Sequence, residues 1–249
     1  MGFVWTTPPT VAIFGDSIIG VDADDKGGLV PALRDQYQSM GLEVIDVTGV
    51  QGSRAGDWMW TKDGHTPHRT RHGGRMAGKG RPLSAAQKRK ADLDRIAALK
   101  ADVYHINLVT NDIHAGQSPT TFADNAMDII GALPKRALIV WTEGNDEPDK
   151  NASKRAALSE LRRRAVRAYG PRVLVIDNSE FRLRRHYVGK GLHPSFGAHR
   201  AFINEVAPEL SEHIGQLAPK GFWGAARDVV APTAVMLALT YLIHRLRRQ

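Results

Sequence analysis

The sequence predicts an α/β fold, a three-layer α/β/α sandwich around a parallel, five-stranded sheet. Three observations predict it. Apolar runs of strand length alternate along the chain with stretches of helical periodicity, the pattern of βαβ units. Right-handed crossovers then limit such a chain to helices on both faces of the sheet. The first apolar run, Val11-Ala12-Ile13-Phe14, leads straight into Gly15-Asp16-Ser17. That places a hydroxyl at the carboxyl end of a buried strand, where open α/β sheets carry their reactive groups.

The strand-like runs are residues 11–15, 43–47, 103–109, 137–142 and 172–176. Between and after them, helical periodicity covers 29–40, 84–99, 121–133, 153–169 and 196–217. Ser84 is placed to cap the start of one helix, and Gly170-Pro171 to stop another before the fifth strand.

Two segments break the rhythm. Residues 61–82 are rich in Gly, His and basic side chains and follow the second strand closely, so they are expected to form a basic flap over the rim of the sheet. His65, His68 and His72 lie in it without the carboxylates or rigid base that a metal site needs, and no metal is expected. Residues 220–249 are expected to form a C-terminal apolar helix. Its core, 229–243, carries no charged side chain, is apolar on every face, and is flanked by Trp223, Tyr241 and terminal arginines. It is shorter than the roughly 20 residues of a spanning helix, so a helix lying in the membrane interface is expected as readily as a span. The expected organisation is one domain over 1–219, with the flap inside it, followed by the apolar segment 220–249.

The chain has 249 residues, enough for one α/β domain with a full core and an appendage. It contains no cysteine, which excludes a disulfide framework, a thiolate nucleophile and cysteine-type zinc sites. Its net charge of +8 favours anionic partners. The basic residues are not interleaved with stacking aromatics, so nucleic acid is not expected. The first residues lack the basic region and apolar run of a secretory signal.

Four short blocks carry chemistry: Gly15-Asp16-Ser17, Gly49-Val50-Gln51-Gly52, Thr110-Asn111-Asp112 and Gly191-Leu192-His193-Pro194. Ser, Gly, Asn and His in this order, each at a strand end or loop, resemble the SGNH (GDSL-type) hydrolases, a large group of esterases, lipases and carbohydrate deacylases. The resemblance covers residues 10–217. It implies a flavodoxin-like strand order of 2-1-3-4-5 and a serine esterase activity without a cofactor. One position departs: the family's aspartate three residues before the histidine is replaced by Lys190.

The chemistry these residues allow is acyl transfer. A serine hydroxyl needs a base to take its proton, and His193 is the candidate base for the Ser17 nucleophile. The negative oxygen that forms needs preorganised donors, each worth roughly 3–4 kcal/mol. The backbone N–H groups of Ser17 and Gly52 and the side-chain amide of Asn111 are the candidates. Asp16 and Asp112 are read as residues that fix their loops. Lys190 cannot orient an imidazole, so the histidine works either as a dyad with a backbone carbonyl or with a carboxylate from elsewhere, for which Asp177 is the candidate. The expected substrate is an acylated carbohydrate, an O-acetylated envelope glycan above all, or a lipid ester. The expected location is at a membrane or cell envelope. A non-catalytic, membrane-anchored binding module is the alternative that Lys190 keeps open.

Overall fold

The apolar runs become the strands of a single parallel sheet. A computed structural model describes residues 8–21, 29–59, 83–143, 150–177, 187–188, 193–194 and 196–217, with the backbone alone at 20, 21, 187, 188, 193, 194, 196 and 197. The strands are β1 (Thr10–Gly15), β2 (Glu43–Gly49), β3 (Val103–Asn107), β4 (Leu138–Thr142) and β5 (Val173–Ile176), in the order β2-β1-β3-β4-β5. Every neighbouring pair is parallel. The described helices are α1 (Ser17–Val21), α2 (Leu29–Ser39), α3 (Ala85–Lys90), α4 (Leu93–Ala98), α5 (Thr110–His114), α6 (Pro119–Ala132), α7 (Asn151–Tyr169) and α8 (Phe196–Ile214). A short antiparallel pair, β6 (Tyr187–Val188) with β7 (His193–Pro194), stands apart from the main sheet.

Alternation along the strands divides the core in two. Ala12 and Phe14 of β1 pack with Trp58, Ile96 of α4, Phe122 of α6 and Leu158 of α7. Val11 and Ile13 face the other way, onto Ile19 of α1, Leu33 of α2 and Phe202 of α8. The result is the three-layer α/β/α sandwich, with both sheet faces covered.

Local chemistry sets the helix limits. The Ser84 hydroxyl accepts from the Gln87 N–H while the Gln87 side chain accepts from the Ser84 N–H, a reciprocal cap. Gly170, at φ 59°, ends α7. Two expectations need correction. The single helix over 84–99 is broken at Asp92, whose carboxylate caps α4 by accepting from the Arg95 N–H and whose backbone bridges to Met59. The third strand stops at Asn107, and the block expected in a loop begins α5. The flap at 61–82 and the apolar segment at 220–249 lie outside the described residues. Among the described residues, no helix is long and apolar enough to cross a membrane.

The register positions the site. Gly15 pairs with Gly49 on one side and Asn107 on the other, Asn107 with Thr142, and Thr142 with Ile176. This row is the carboxyl rim of the sheet. Ser17, Gly52, Asn111, Glu143 and Asp177 all follow it within a few residues.

Candidate active site

Gly15 allows the site to form. A Cβ at this position would lie 2.3 Å from the carbonyl oxygen of Asn107, so only glycine lets β1 lie this close to β3. The Asp16 N–H then donates to that same carbonyl at 3.2 Å. Asp16 is buried, and its Oδ1 accepts the N–H of Ile18 at 3.0 Å, tying down the turn into α1. Ser17 opens that helix and remains partly exposed.

The second block turns back onto the first. The Val50 N–H donates to the Gly15 carbonyl at 2.9 Å, and the Ser53 N–H closes a tight turn onto Val50. Gly52 sits at the exposed apex of that turn with φ 75°, in the left-handed region that favours glycine. Arg54 and Asp57 follow, both buried, in a two-pronged ion pair with Nε–Oδ2 at 3.1 Å and the second guanidinium nitrogen 3.2 Å from Oδ1.

The third block links the first two. The Asn111 Nδ2 donates to Asp16 Oδ2 at 3.2 Å and to the Ser53 carbonyl at 3.0 Å. Both amide hydrogens therefore have protein acceptors, and an incoming oxyanion would have to displace one of them. Asp112 is fully buried and accepts the Ala55 N–H at 3.0 and 3.2 Å. Burial pushes its carboxyl up to about 8, and the negative charges of Asp57 and Asp16 act in the same direction, while the Ala55 N–H and Arg54 oppose them. Burial thus favours the neutral acid of Asp112, which is enclosed within the loops and fixes one of them.

Thr110, the residue before Asn111, is fastened on the opposite side. Its hydroxyl donates to Glu143 Oε1 at 2.6 Å, and Lys154 Nζ of α7 lies 3.7 Å from the same oxygen. The Glu143 and Lys154 side chains are 1% and 0% exposed.

The structure therefore brings together Ser17, Gly52 and Asn111 at one end of β1, β2 and β3. Asp177 stands at the end of β5, three strand positions from β1 and so about 14 Å across the sheet. Its Oδ2 lies 3.9 Å from Arg155 Nε, and it lines a groove of about 460 Å³ between α7 and α8 with Arg162, Glu205 and Glu209. The His193 backbone is paired with Val188 in β7. Its side chain and Lys190 lie outside the described residues, as do His65, His68 and His72.

Sequence reasoning missed three buried polar groups: Arg54–Asp57, Thr110–Glu143–Lys154, and a chain between the sheet and α2. In the last, the Tyr37 hydroxyl meets His105 Nδ1 at 2.7 Å, His105 Nε2 meets the Thr142 hydroxyl at 2.9 Å, and Asn107 Nδ2 donates to that hydroxyl at 3.1 Å. The signal for Glu143 was a carboxylate two residues beyond the apolar run Leu138-Ile139-Val140-Trp141. For His105 and Asn107 it was polar side chains alternating within an otherwise apolar strand.

No family model and no curated protein matches the sequence. Among the solved structures that match, three share the fold over nearly their whole length. TesA is 18% identical, with a TM-score of 0.54 over 82% of this chain and 99% of its own. The psychrotrophic esterase EstA from Pseudoalteromonas, in a structure inhibited by monoethylphosphonate, is 15% identical, with a TM-score of 0.54 over 84% of this chain and 100% of its own. A member of the lipolytic protein G-D-S-L family from Veillonella parvula is 13% identical, with a TM-score of 0.53 over 80% of this chain and 96% of its own. The chain has the SGNH (GDSL-type) hydrolase fold. The strand order implied by the resemblance is the observed one, and the first three SGNH blocks lie on adjoining strand ends.

Proposed function

We propose that the chain is a serine ester hydrolase of the SGNH type. The observation that carries this reading is the shared rim. Gly15 is in register with both Gly49 and Asn107, so Ser17, Gly52 and Asn111, far apart in sequence, gather at adjoining strand ends. In this reading, Ser17 Oγ attacks the ester carbonyl and passes its proton to His193. The carbonyl oxygen becomes an oxyanion held by the Ser17 and Gly52 N–H groups and the Asn111 amide, for which it competes with Asp16 or Ser53. Collapse of the intermediate expels the alcohol, which takes the proton from His193, and leaves an acyl-serine. Water then attacks the acyl-serine and gives a proton to His193, which passes it to the departing Ser17 Oγ as the acid leaves.

The proposed substrate is an O-acetylated, anionic envelope glycan. The net charge of +8 supports an anionic polymer, and the uncharged segment 229–243 supports action beside a membrane. Asp177 stands three strand positions from β1 and faces Arg155, so His193 is proposed to work in a Ser–His dyad, with Asp177 as the alternative orienting carboxylate.

A fluorophosphonate probe together with p-nitrophenyl acetate tests the reading. Wild-type protein is expected to be labelled and to release acetate, and Ser17→Ala to do neither while keeping its melting temperature. A wild-type protein inert to both is the non-catalytic module. Preference for lysophospholipid over acetylated polysaccharide moves the substrate to lipid. An Asp177→Asn variant within about threefold of wild type, below the 1.4 kcal/mol that corresponds to tenfold in rate, identifies the dyad.

A further inference from the structure

Three consecutive residues, Thr110, Asn111 and Asp112, are tied to three different strand ends. Asn111 reaches Asp16 after β1, Asp112 holds the Ala55 N–H beyond β2, and Thr110 donates to Glu143 at the end of β4. The first two ties lie within the blocks already described, whereas the third leaves them. Glu143 comes from the next strand, and its partner Lys154 from the first turn of α7.

We propose that Glu143, held by Lys154, is a positioning residue that sets the Asn111 amide through the Thr110 hydroxyl, an inference that rests on the hydrolase reading above. Asn111 sits between two anchored neighbours that pull toward opposite sides of the sheet, Asp112 toward β2 and Thr110 toward β4. The amide can be aimed only if both hold. A charge-assisted O–H···O bond of 2.6 Å is shorter and stronger than a neutral one, and it sits where water has no access. Lys154 Nζ, 3.7 Å from the same oxygen, keeps that acceptor in place. An apolar residue at 143 would offer the hydroxyl no acceptor and Lys154 no carboxylate. Glu143 and Lys154 do not touch the ester. They act on the angle and position of the donor, and a donor displaced by about an ångström costs rate without loosening substrate binding.

The test uses the full chain with p-nitrophenyl acetate. Thr110→Val keeps the shape and removes the hydroxyl. Its kcat is expected to fall about tenfold or more, as small displacements of catalytic groups do, with KM within about twofold. Thr110→Ser, which keeps the hydroxyl, is expected to restore kcat to within about threefold by the same reasoning. If valine's second methyl is not accommodated, Thr110→Ala carries the same expectation. The side-chain amide resonances of Asn111 in a 15N-labelled sample give a readout independent of turnover. They are expected to shift in Thr110→Val and return in Thr110→Ser. The inference is overturned by a Thr110→Val kcat within twofold of wild type, by a loss confined to KM, or by unmoved Asn111 resonances. A wild type inert to esters and fluorophosphonate instead refutes the hydrolase reading, and the amide resonances then still decide whether Glu143 sets Asn111.

Discussion

Two buried polar systems cross the same sheet, and they are built in opposite ways. Between the sheet and α2, Tyr37, His105, Thr142 and Asn107 form a chain of neutral groups. Burial lowers the His105 imidazole to about 3 and raises the Tyr37 phenol, so both stay uncharged through the ordinary pH range. The neutral imidazole carries one ring proton, so one of its nitrogens donates and the other accepts in the bonds to Tyr37 and Thr142. At the carboxyl rim, by contrast, Arg54 faces Asp57 and Lys154 faces Glu143. The difference teaches where this fold tolerates charge. Burying an ion costs several kcal/mol unless partners surround it. The interior of a strand offers no spare backbone donors, since the sheet ladder uses them. The loops beyond the rim do offer them, as the Arg54 N–H shows by bonding Asp57.

The largest effect should come from breaking a rim ion pair. Arg54→Met leaves Asp57 buried with one backbone N–H, and is expected to cost about 3 kcal/mol or more in urea denaturation. A loss under 1 kcal/mol would mean that the rim pairs do not carry buried charge. Tyr37→Phe, in the interior, removes one donor from a neutral chain. It is expected to cost about 1–3 kcal/mol, the penalty of leaving a buried imidazole nitrogen unpaired. If it equals the Arg54 effect, the contrast between the two systems fails.

The pH dependence of stability sharpens the comparison, because the two systems contribute slopes of opposite sign. Asp112 is held at about 8 in the folded chain against an ordinary value of 3.8. The folded state binds the extra proton, so this contribution is complete below the ordinary value and is lost as pH rises through about 8. His105 is held at about 3 against 6.5, so the unfolded chain binds the extra proton and stability is lost as pH falls from 6.5 toward 3. Each slope is at most about 1.4 kcal/mol per pH unit. Asp112→Asn keeps an acceptor for Ala55 and is expected to remove the loss of stability with rising pH between about 4 and 8, leaving the rise that His105 contributes between about 3 and 6.5. A loss that persists in the variant would show that Asp112 is ionised in the folded protein. The smallest effect is expected at the surface. Glu160 pairs with Arg163 and Arg164 on the outside of α7, and Glu160→Gln should cost no more than about 1 kcal/mol, shrinking with added salt.

The sequence-based elements that match the structure rest on local signals. The run from Val11 to Phe14, the Ser84 cap and the Gly170 stop each depend on a few neighbouring residues, and each forms as expected. The break at Asp92 was missed because the helical period continues across it. A cap and a bridge to Met59, more than thirty residues away, override that period. The reading of Asp16 and Asp112 as loop-fixing residues agrees with their bonds to Ile18 and Ala55. The buried rim charges were not legible, because nothing near Lys154 in sequence marks it as different from the other basic residues of α7.

By itself, then, the sequence determined the alternation of strands and helices, and the composition of the four blocks. Those properties follow from apolar periodicity and from the conformational demands of glycine and the capping residues, which act over a few positions. Tertiary structure alone decided that Gly15 would be in register with Gly49 and Asn107, and that Lys154 would reach Glu143. It also decided that Asp112 would be sealed from water, where burial favours its neutral acid. The physical reason is that the dielectric surroundings and partners of a charged side chain are set by segments distant in sequence, which meet only when the sheet has assembled.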